Sequence, residues 1–285
     1  MDRDWRGMGS IRDSRSGEIL VSVILLTKNG ERHVRSVLDG LYCQRKIECA
    51  EVIVIDSGSS DATLEIVSEY PVRLTRIPPE DFGHGRTRNL GARLARGKFL
   101  LYLPQDAIPV GPDWLSALLM PFENSAVAGA YCRQVPRSDA SAMEEFFLLN
   151  TYPRDYEIKS LGKRDDISLS RCFFSTVGGA IRASLWKEHP FREDVIMSED
   201  QAWSKEVMLA GHSIVYQPAA ELLHSHQYGI VDIFRRNFDS GFSICQIYSG
   251  RTGIPVAQHL LRLAHEAVFV MRSGRVRDIL RFPLY

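Results

Sequence analysis

Residues 51–70 read EVIVIDSGSSDATLEIVSEY. A β-branched run ends on Asp56, passes through small turn-forming residues and gives way to a helical stretch, ATLEIVSEY. The run reads as a strand, and Ser60 or Asp61 can cap the helix that follows. A strand and helix joined this tightly are part of a βαβ pattern.

The same alternation repeats outward. Upstream, ILVSVILL (19–26) is a strand buried on both faces, followed by ERHVRSVLDGLYCQ (31–44) with Val34, Val37, Leu38 and Leu41 at helical spacing. Downstream, VRLTRIP (72–78) is a weaker third strand. GHGRTRNLGARLARG (83–97) is a loop entering a helix that stops near Gly97, and KFLLYLPQD (98–106) is a fourth strand. Strand and helix alternate from residue 19 to about 120, which predicts a parallel sheet with helices on both faces. Such sheets bind ligands beyond the carboxyl ends of their strands. Thr27, Asp56 and Asp106 end three of them and should converge on one crevice.

The second half is less regular. NSAVAGAYCRQV (124–135) reads as a strand, SAMEEFFLLN (141–150) as a helix and RDYEIKSLGKRDDIS (154–168) as a polar loop. CFFSTVGGAIRASLW (172–186) reads as a strand, a tight Gly178–Gly179 turn and a helix start. SEDQAWSKEVMLAG (198–211) is an amphipathic helix ending at Gly211, and HSIVYQP and AELLHSHQ are two short strands. From Gly229 onward the pattern is helical.

Composition removes several classes. The 285 residues are 45% hydrophobic and carry 35 basic and 35 acidic side chains, so no global field draws nucleic acid. Five cysteines, with no C-x-x-C pair, make a disulfide framework or structural zinc a poor fit and suit a reducing cytoplasm. The polar first 18 residues lack an apolar signal core and are expected to fray. No apolar run approaches the roughly 20 residues of a membrane span. The tail holds Arg235, Arg236, Arg251, Arg262, Arg272, Arg275, Arg277 and Arg281 among apolar residues, with no lysine. It reads either as a basic amphipathic surface for an anionic membrane or as a packed helix pair with a solvated arginine face.

Four groups of residues could do chemistry. Asp106 either caps its strand or, with phosphate oxygens, holds Mg²⁺ or Mn²⁺. Glu199 and Asp200 open a helix, where acids complement the dipole, or one of them is a general base. His224 and His226 share a face if strand-borne, and could ligate a cation, bind a phosphate or be structural. Gly83, Gly85, Arg86, Arg88 and Asn89 gather at a helix entrance that suits a diphosphate. Neither a Walker loop nor a G-x-G-x-x-G fingerprint is present, which disfavours nicotinamide oxidoreductases. TKNGERH is a poor version of the loop a nucleotidyltransferase would use.

Taken in order, VSVILLTKNG, VIVIDSGSSDAT, GRTRNLGARLARGKFLLYLPQDAIP, VGGAIRASLW and SEDQAWSKEVMLAG resemble a family 2 glycosyltransferase, from about Leu20 to about Tyr228. IDSGSSD, FGHGRTRN, QDAIP and EDQAWS with HSH are most similar to its rhamnosyltransferase branch. The resemblance implies an α/β fold of GT-A type: a mostly parallel central sheet flanked by helices, with a helical C-terminal extension. It implies a flexible segment 1–18, a transferase domain 19–228 divided near 120, and an Arg-rich helical extension 229–285. It implies an inverting transfer from dTDP-rhamnose to a polysaccharide or lipid-linked glycan, in the cytoplasm or at the inner membrane face. Asp200 would be the base. Thr27, Asp56, Ser57, Arg88 and Gln105 would meet the nucleotide, and Asp106 and His224 a divalent cation. Gly178, Gly179, Glu199 and Trp203 would lie on the acceptor side. Two departures stand out: Ser57 replaces a frequent second Asp, and the D-x-D motif is reduced to Gln105-Asp106-Ala107. A degenerate GT-A domain serving as a nucleotide-sugar or glycan scaffold is the alternative.

Overall fold

Alternate residues of β1 (Val21–Thr27) feed two different cores. Val21, Val23 and Leu25 join the cluster containing Val34, Val37, Leu38 and Leu41 of α1 (Val34–Tyr42). Ile24 joins the opposite cluster, with Ile53 and Ile55 of β2 (Ala50–Asp56). This is the period-two consequence of a strand buried on both faces. After β2 come α2 (Thr63–Ser68), β3 (Arg73–Arg76), α3 (His84–Leu94) and β4 (Phe99–Pro104). A side chain on Gly91 would collide with Ile24, so glycine lets α3 lie directly on the sheet. The computed structural model describes residues 19–162, 167–226, 228–248 and 256–282, side chains of 256–260 excepted. The segment 1–18, residues 163–166 of the expected loop and Arg251 lie outside the described residues.

One sheet of nine strands runs through the domain in the order β3-β2-β1-β4-β8-β6-β9-β5, with β7 on β9. The first four strands are parallel, and register pairs Thr27 with Asp56 and Leu26 with Pro104. Their carboxyl ends are therefore level. The later elements are β5 (Ile108–Pro109), α4 (Trp114–Leu119), β6 (Val127–Val135), α5 (Ala142–Thr151), β7 (Glu157–Lys159), β8 (Gly179–Arg182), α6 (Ala183–Glu188), α7 (Glu199–Leu209) and β9 (Ser213–Leu223). β8 runs antiparallel between β4 and β6, while β6 and β9 are parallel. The parallel pattern thus holds in the first half and becomes mixed in the second.

Several local expectations change: strand β7 lies within the expected polar loop, and α2 is capped at Ala62 rather than by Ser60 or Asp61. The strand expected before the glycine pair follows it instead. Gly178 has φ +68° and any side chain there would collide with Cys132 and Leu222, so the chain turns on Gly178 and enters the sheet at Gly179. The two short strands around Pro218 are one strand, β9. Its pairing with β6 shifts register between Cys132–Gln217 and Arg133–Glu221, which accommodates the proline's missing donor.

The tail forms α8 (Ile230–Tyr248), α9 (Val256–Arg272) and α10 (Val276–Arg281). α8 packs on α7, and α9 packs on α5 and α10. Val231, Phe234, Phe238 and Phe242 of α8 remain exposed. Among the described residues no helix is long and apolar enough to cross a membrane.

Candidate active site

The level strand ends open onto a cavity of about 240 Å³. Thr27, Lys28, Ser57, Phe82, His84, Arg88, Tyr102, Gln105, Asp106 and Thr176 are among its lining residues. The turn chemistry of the opening stretch shapes one rim. Asp56 is fully buried; Oδ1 accepts from the N–H groups of Gly58 (3.1 Å) and Ser59 (2.9 Å), and Oδ2 from the hydroxyls of Thr27 (3.0 Å) and Ser59. Ser57 donates its N–H to the Thr27 carbonyl at 2.9 Å. Gln105 ties the end of β4 to the end of β1: its Oε1 accepts from Lys28 N–H at 2.8 Å and its Nε2 donates to Lys28 O at 3.0 Å. Asp56 and Gln105 thus fix the loops on which Thr27, Lys28 and Ser57 are presented.

Asp106 stands beyond β4 opposite two imidazoles. Its Oδ1 lies 3.6 Å from His224 Nε2, and its Oδ2 3.3 Å from His226 Nδ1. The histidines sit just past β9, where the His224 N–H still bonds the Val135 carbonyl, and their rings stand 4.4 Å apart. Burial pushes the Asp106 carboxyl up, but the hydrogen bond from His226 and the charges of His224, His226 and Arg137 hold it down at about 2. Burial above all holds His224 down, at about 3, so at neutral pH its ring is uncharged. His224 Nδ1 lies 2.9 Å from Gln134 Oε1. With the Gln134 amide oriented by Tyr152 and Ser175, Nδ1 carries the hydrogen and Nε2 turns its lone pair toward Asp106. One carboxylate and two imidazoles, with ligand atoms within 4.8 Å of one another, fit a divalent cation.

The other wall holds the acidic pair. Ser198, at φ +64°, delivers Glu199 and Asp200 into the first turn of α7. Glu199 Oε1 pairs with Arg88 Nη1 at 2.7 Å, with side chains 4% and 14% exposed. Asp200 Oδ2 accepts from the N–H and hydroxyl of Thr176 at 3.1 and 3.2 Å. Burial first, then the Glu199 charge, pushes Asp200 up to about 6 against the pull of Arg88. It is therefore a carboxylate near neutrality with a raised proton affinity, which suits a general base. Arg88 Nε and the Tyr102 hydroxyl, both in cavity-lining residues, are buried with no partner among the described residues.

Several sequence-based placements need correction. Trp203 is 1% exposed, packed against Phe174 and Phe191, and belongs to the core rather than to an acceptor surface. Gly178 and Gly179 are buried and serve packing, since a side chain on Gly179 would collide with the Ser175 carbonyl. Glu199 acts on Arg88. Of the expected diphosphate cluster, only Arg88 lines the cavity. α3 already begins at His84; Gly85 abuts the Arg192 carbonyl, Asn89 bonds Phe191, Trp186 and Glu193, and Arg86 is exposed. Sequence reasoning left out Thr176, Gln134 and His84. Their signals were faint: a hydroxyl before the glycine pair, one amide within an apolar strand, and a histidine between two glycines.

A parallel nucleotide-side sheet, a cavity at its strand ends and a carboxylate–imidazole trio beside a raised-pKa aspartate define a GT-A glycosyltransferase. The glycosyl transferase family 2 model matches residues 22–175. The O-antigen chain rhamnosyltransferase of Salmonella typhimurium is 31% identical over 229 residues, covering 79% of this chain and 73% of that protein. The O-antigen chain rhamnosyltransferase of Salmonella anatum is 33% identical over 199 residues, covering 69% and 63%. Among solved structures, the Pyrobaculum calidifontis mannosyltransferase in complex with GDP-Man and Mn²⁺ superposes with a TM-score of 0.61 at 18% identity, covering 90% of this chain and 73% of that one. The chain belongs to glycosyl transferase family 2, in its rhamnosyltransferase-like branch, and is a glycosyltransferase.

Proposed function

We propose that this chain transfers rhamnose from dTDP-rhamnose to a hydroxyl of a polysaccharide or lipid-linked glycan, inverting the anomeric carbon in one displacement. The observation that carries the reading is a single cavity lined both by Asp106, which faces two histidines behind it, and by Thr176, which holds Asp200. The two Salmonella relatives support rhamnose as the sugar. Thr27, Ser57 and Arg88 receive the nucleotide, on loops fixed by Asp56 and Gln105. Asp106, His224 and His226 would hold the cation, Mn²⁺ being better matched than Mg²⁺ to two nitrogen ligands, and when bound it neutralises the charge growing on the departing diphosphate. Asp200 takes the acceptor proton as the new C–O bond forms and the bond to the diphosphate breaks.

The same proposal places the enzyme at the cytoplasmic face of a membrane. Residues 229–285 carry eight arginines, no lysine and four carboxylates, in a chain whose formal net charge is zero. α8 adds exposed Val231, Phe234, Phe238 and Phe242. An apolar helical face with surrounding cations suits anionic lipid.

The test is a thermal-shift screen of dTDP, UDP and GDP with and without Mn²⁺, on the wild type and Asp106→Ala, followed by turnover and NMR of the product's anomeric centre. A Mn²⁺-dependent shift for dTDP, lost in Asp106→Ala, and an inverted product are expected. Preference for another base overturns dTDP as the donor's nucleotide; a retained configuration overturns the single displacement. Binding and turnover of no nucleotide sugar would favour the scaffold alternative. Loss of vesicle binding when Phe234 and Phe238 become Ser, on anionic but not neutral vesicles, tests the membrane contact.

A further inference from the structure

Arg236 lies outside the family-matched segment, on α8, yet it reaches the site. Its guanidinium stands 5.0 Å from the centroid of the Tyr228 ring. Tyr228 stacks on His226 with centroids 4.5 Å apart, and His226 faces Asp106. A tail cation is thereby tied, through two stacked rings, to the carboxylate of the cation site. Its field enters the cavity from that side: after burial and Arg88, Arg236 helps hold His84 down at about 4.

The neighbouring arginines already have partners within the protein. Arg88 is paired to Glu199 at 2.7 Å, and Arg137 donates to the carbonyls of Asp106 and Ser225. Arg236 makes no hydrogen bond or ion pair among the described residues, although Asp232 and Asp239 stand one turn away on either side of it in α8. The ring contact holds the guanidinium without neutralising its charge. An anion arriving between the cation site and α8 would meet it.

We infer that Arg236 is a donor-binding residue, its guanidinium contacting the diphosphate of the nucleotide sugar from the tail-helix side. The inference rests on the proposed nucleotide-sugar reading. A guanidinium matches phosphate oxygens with two parallel hydrogen bonds. As the glycosidic bond breaks, its electron pair goes to the diphosphate, and a fixed cation there stabilises the transition state beyond the ground state. On this view the tail is part of the active site.

The experiment is calorimetry on the full chain at low salt, with the probes dTDP, UDP and GDP in saturating MnCl₂, and with MnCl₂ alone. The variants are Arg236→Ala, Arg236→Gln, which keeps a planar group over Tyr228, and Arg236→Lys. The expected result is about a tenfold loss of diphosphate affinity in Ala and Gln, equivalent to about 1.4 kcal/mol, with only part of it restored in Lys, which keeps the charge but not the paired donors. Mn²⁺ affinity without nucleotide and the ligand-free melting temperature should be unchanged. Diphosphate affinity equal to wild type in Ala and Gln overturns the inference and leaves the proposed function standing. An equal loss of Mn²⁺ affinity also overturns it, because Arg236 would then act through His226. A wild type that binds none of the diphosphates overturns the inference and the proposed function together.

Discussion

Replacing Asp200 by Asn should make the protein more stable and inactive at once. The carboxyl is raised from 3.8 to about 6 in the fold, so it binds its proton more tightly there than in the unfolded chain. Stability from that proton is fully present below pH 3.8 and is lost as pH rises through about 6. Above pH 6 the ionised fold bears the whole cost, on the order of 3 kcal/mol at about 1.4 kcal/mol per pH unit. Asn carries no such charge. Its carbonyl can still accept from Thr176, but the amide cannot replace the oxygen bound to Gln201 N–H at 2.9 Å, a loss of about 1 kcal/mol. The net gain at pH 8 is about 2 kcal/mol, or roughly 4–8 °C in melting temperature. At pH 5 only about half of the ionisation cost has developed, and the gain falls below ~1 kcal/mol. Urea titrations of both proteins at pH 5 and pH 8 measure this directly, alongside glycosyl transfer. A variant less stable than wild type at pH 8, or a gain equal at both pH values, would refute the assignment of Asp200 as a carboxylate held ionised against its environment.

Other sites give sharper structural tests. Gln134→Leu should weaken Mn²⁺ binding 10–100-fold, read by EPR of free Mn²⁺, because His224 loses the acceptor that fixes its tautomer; unchanged affinity would remove the tautomer argument. Trp203→Ala should cost about 3–5 kcal/mol in denaturant unfolding while leaving acceptor KM near wild type in the folded fraction. A large KM change without loss of stability would return Trp203 to the acceptor surface. Gly178→Ala should lose at least ~1–3 kcal/mol, since it combines positive φ with collisions at Cys132 and Leu222; a neutral effect in the same assay would show that the turn can relax.

The nucleotide half was legible because its signals are local. A β-branched run, small turn residues and apolar spacing determine a strand, a turn and a helix wherever they occur, and register then brings Thr27, Asp56 and Asp106 to one edge. The second half was read less well because its strands pair out of sequence order. β8 enters between β4 and β6, and nothing local shows that a strand begins at Gly179 rather than ending before it. The pairing of His224 and His226 with Asp106 joins positions more than 110 residues apart, so the sequence could offer candidates but not their meeting. Trp203 shows the opposite failure. Its place beside Glu199 and Asp200 suggested a surface role, but one turn further along the same helix face the side chain is already in the core.

Adjacent carboxylates acquire different roles here through what each one touches. Glu199 takes the Arg88 cation at 2.7 Å, so its negative charge is balanced where it is buried. Among the described residues Asp200 receives only the neutral donors of Thr176 and Gln201, and it feels Glu199 as an unfavourable neighbour. A helix N-terminus alone would lower a carboxyl's pKa. Asp200 is nevertheless raised, so burial and the neighbouring charge outweigh the dipole. Had Arg88 paired with Asp200 instead, that carboxylate would hold a proton poorly and make a weak base. The Arg88–Glu199 pair therefore does two things: it keeps a cation fixed at the cavity wall, and it keeps that cation off the residue that must accept the proton.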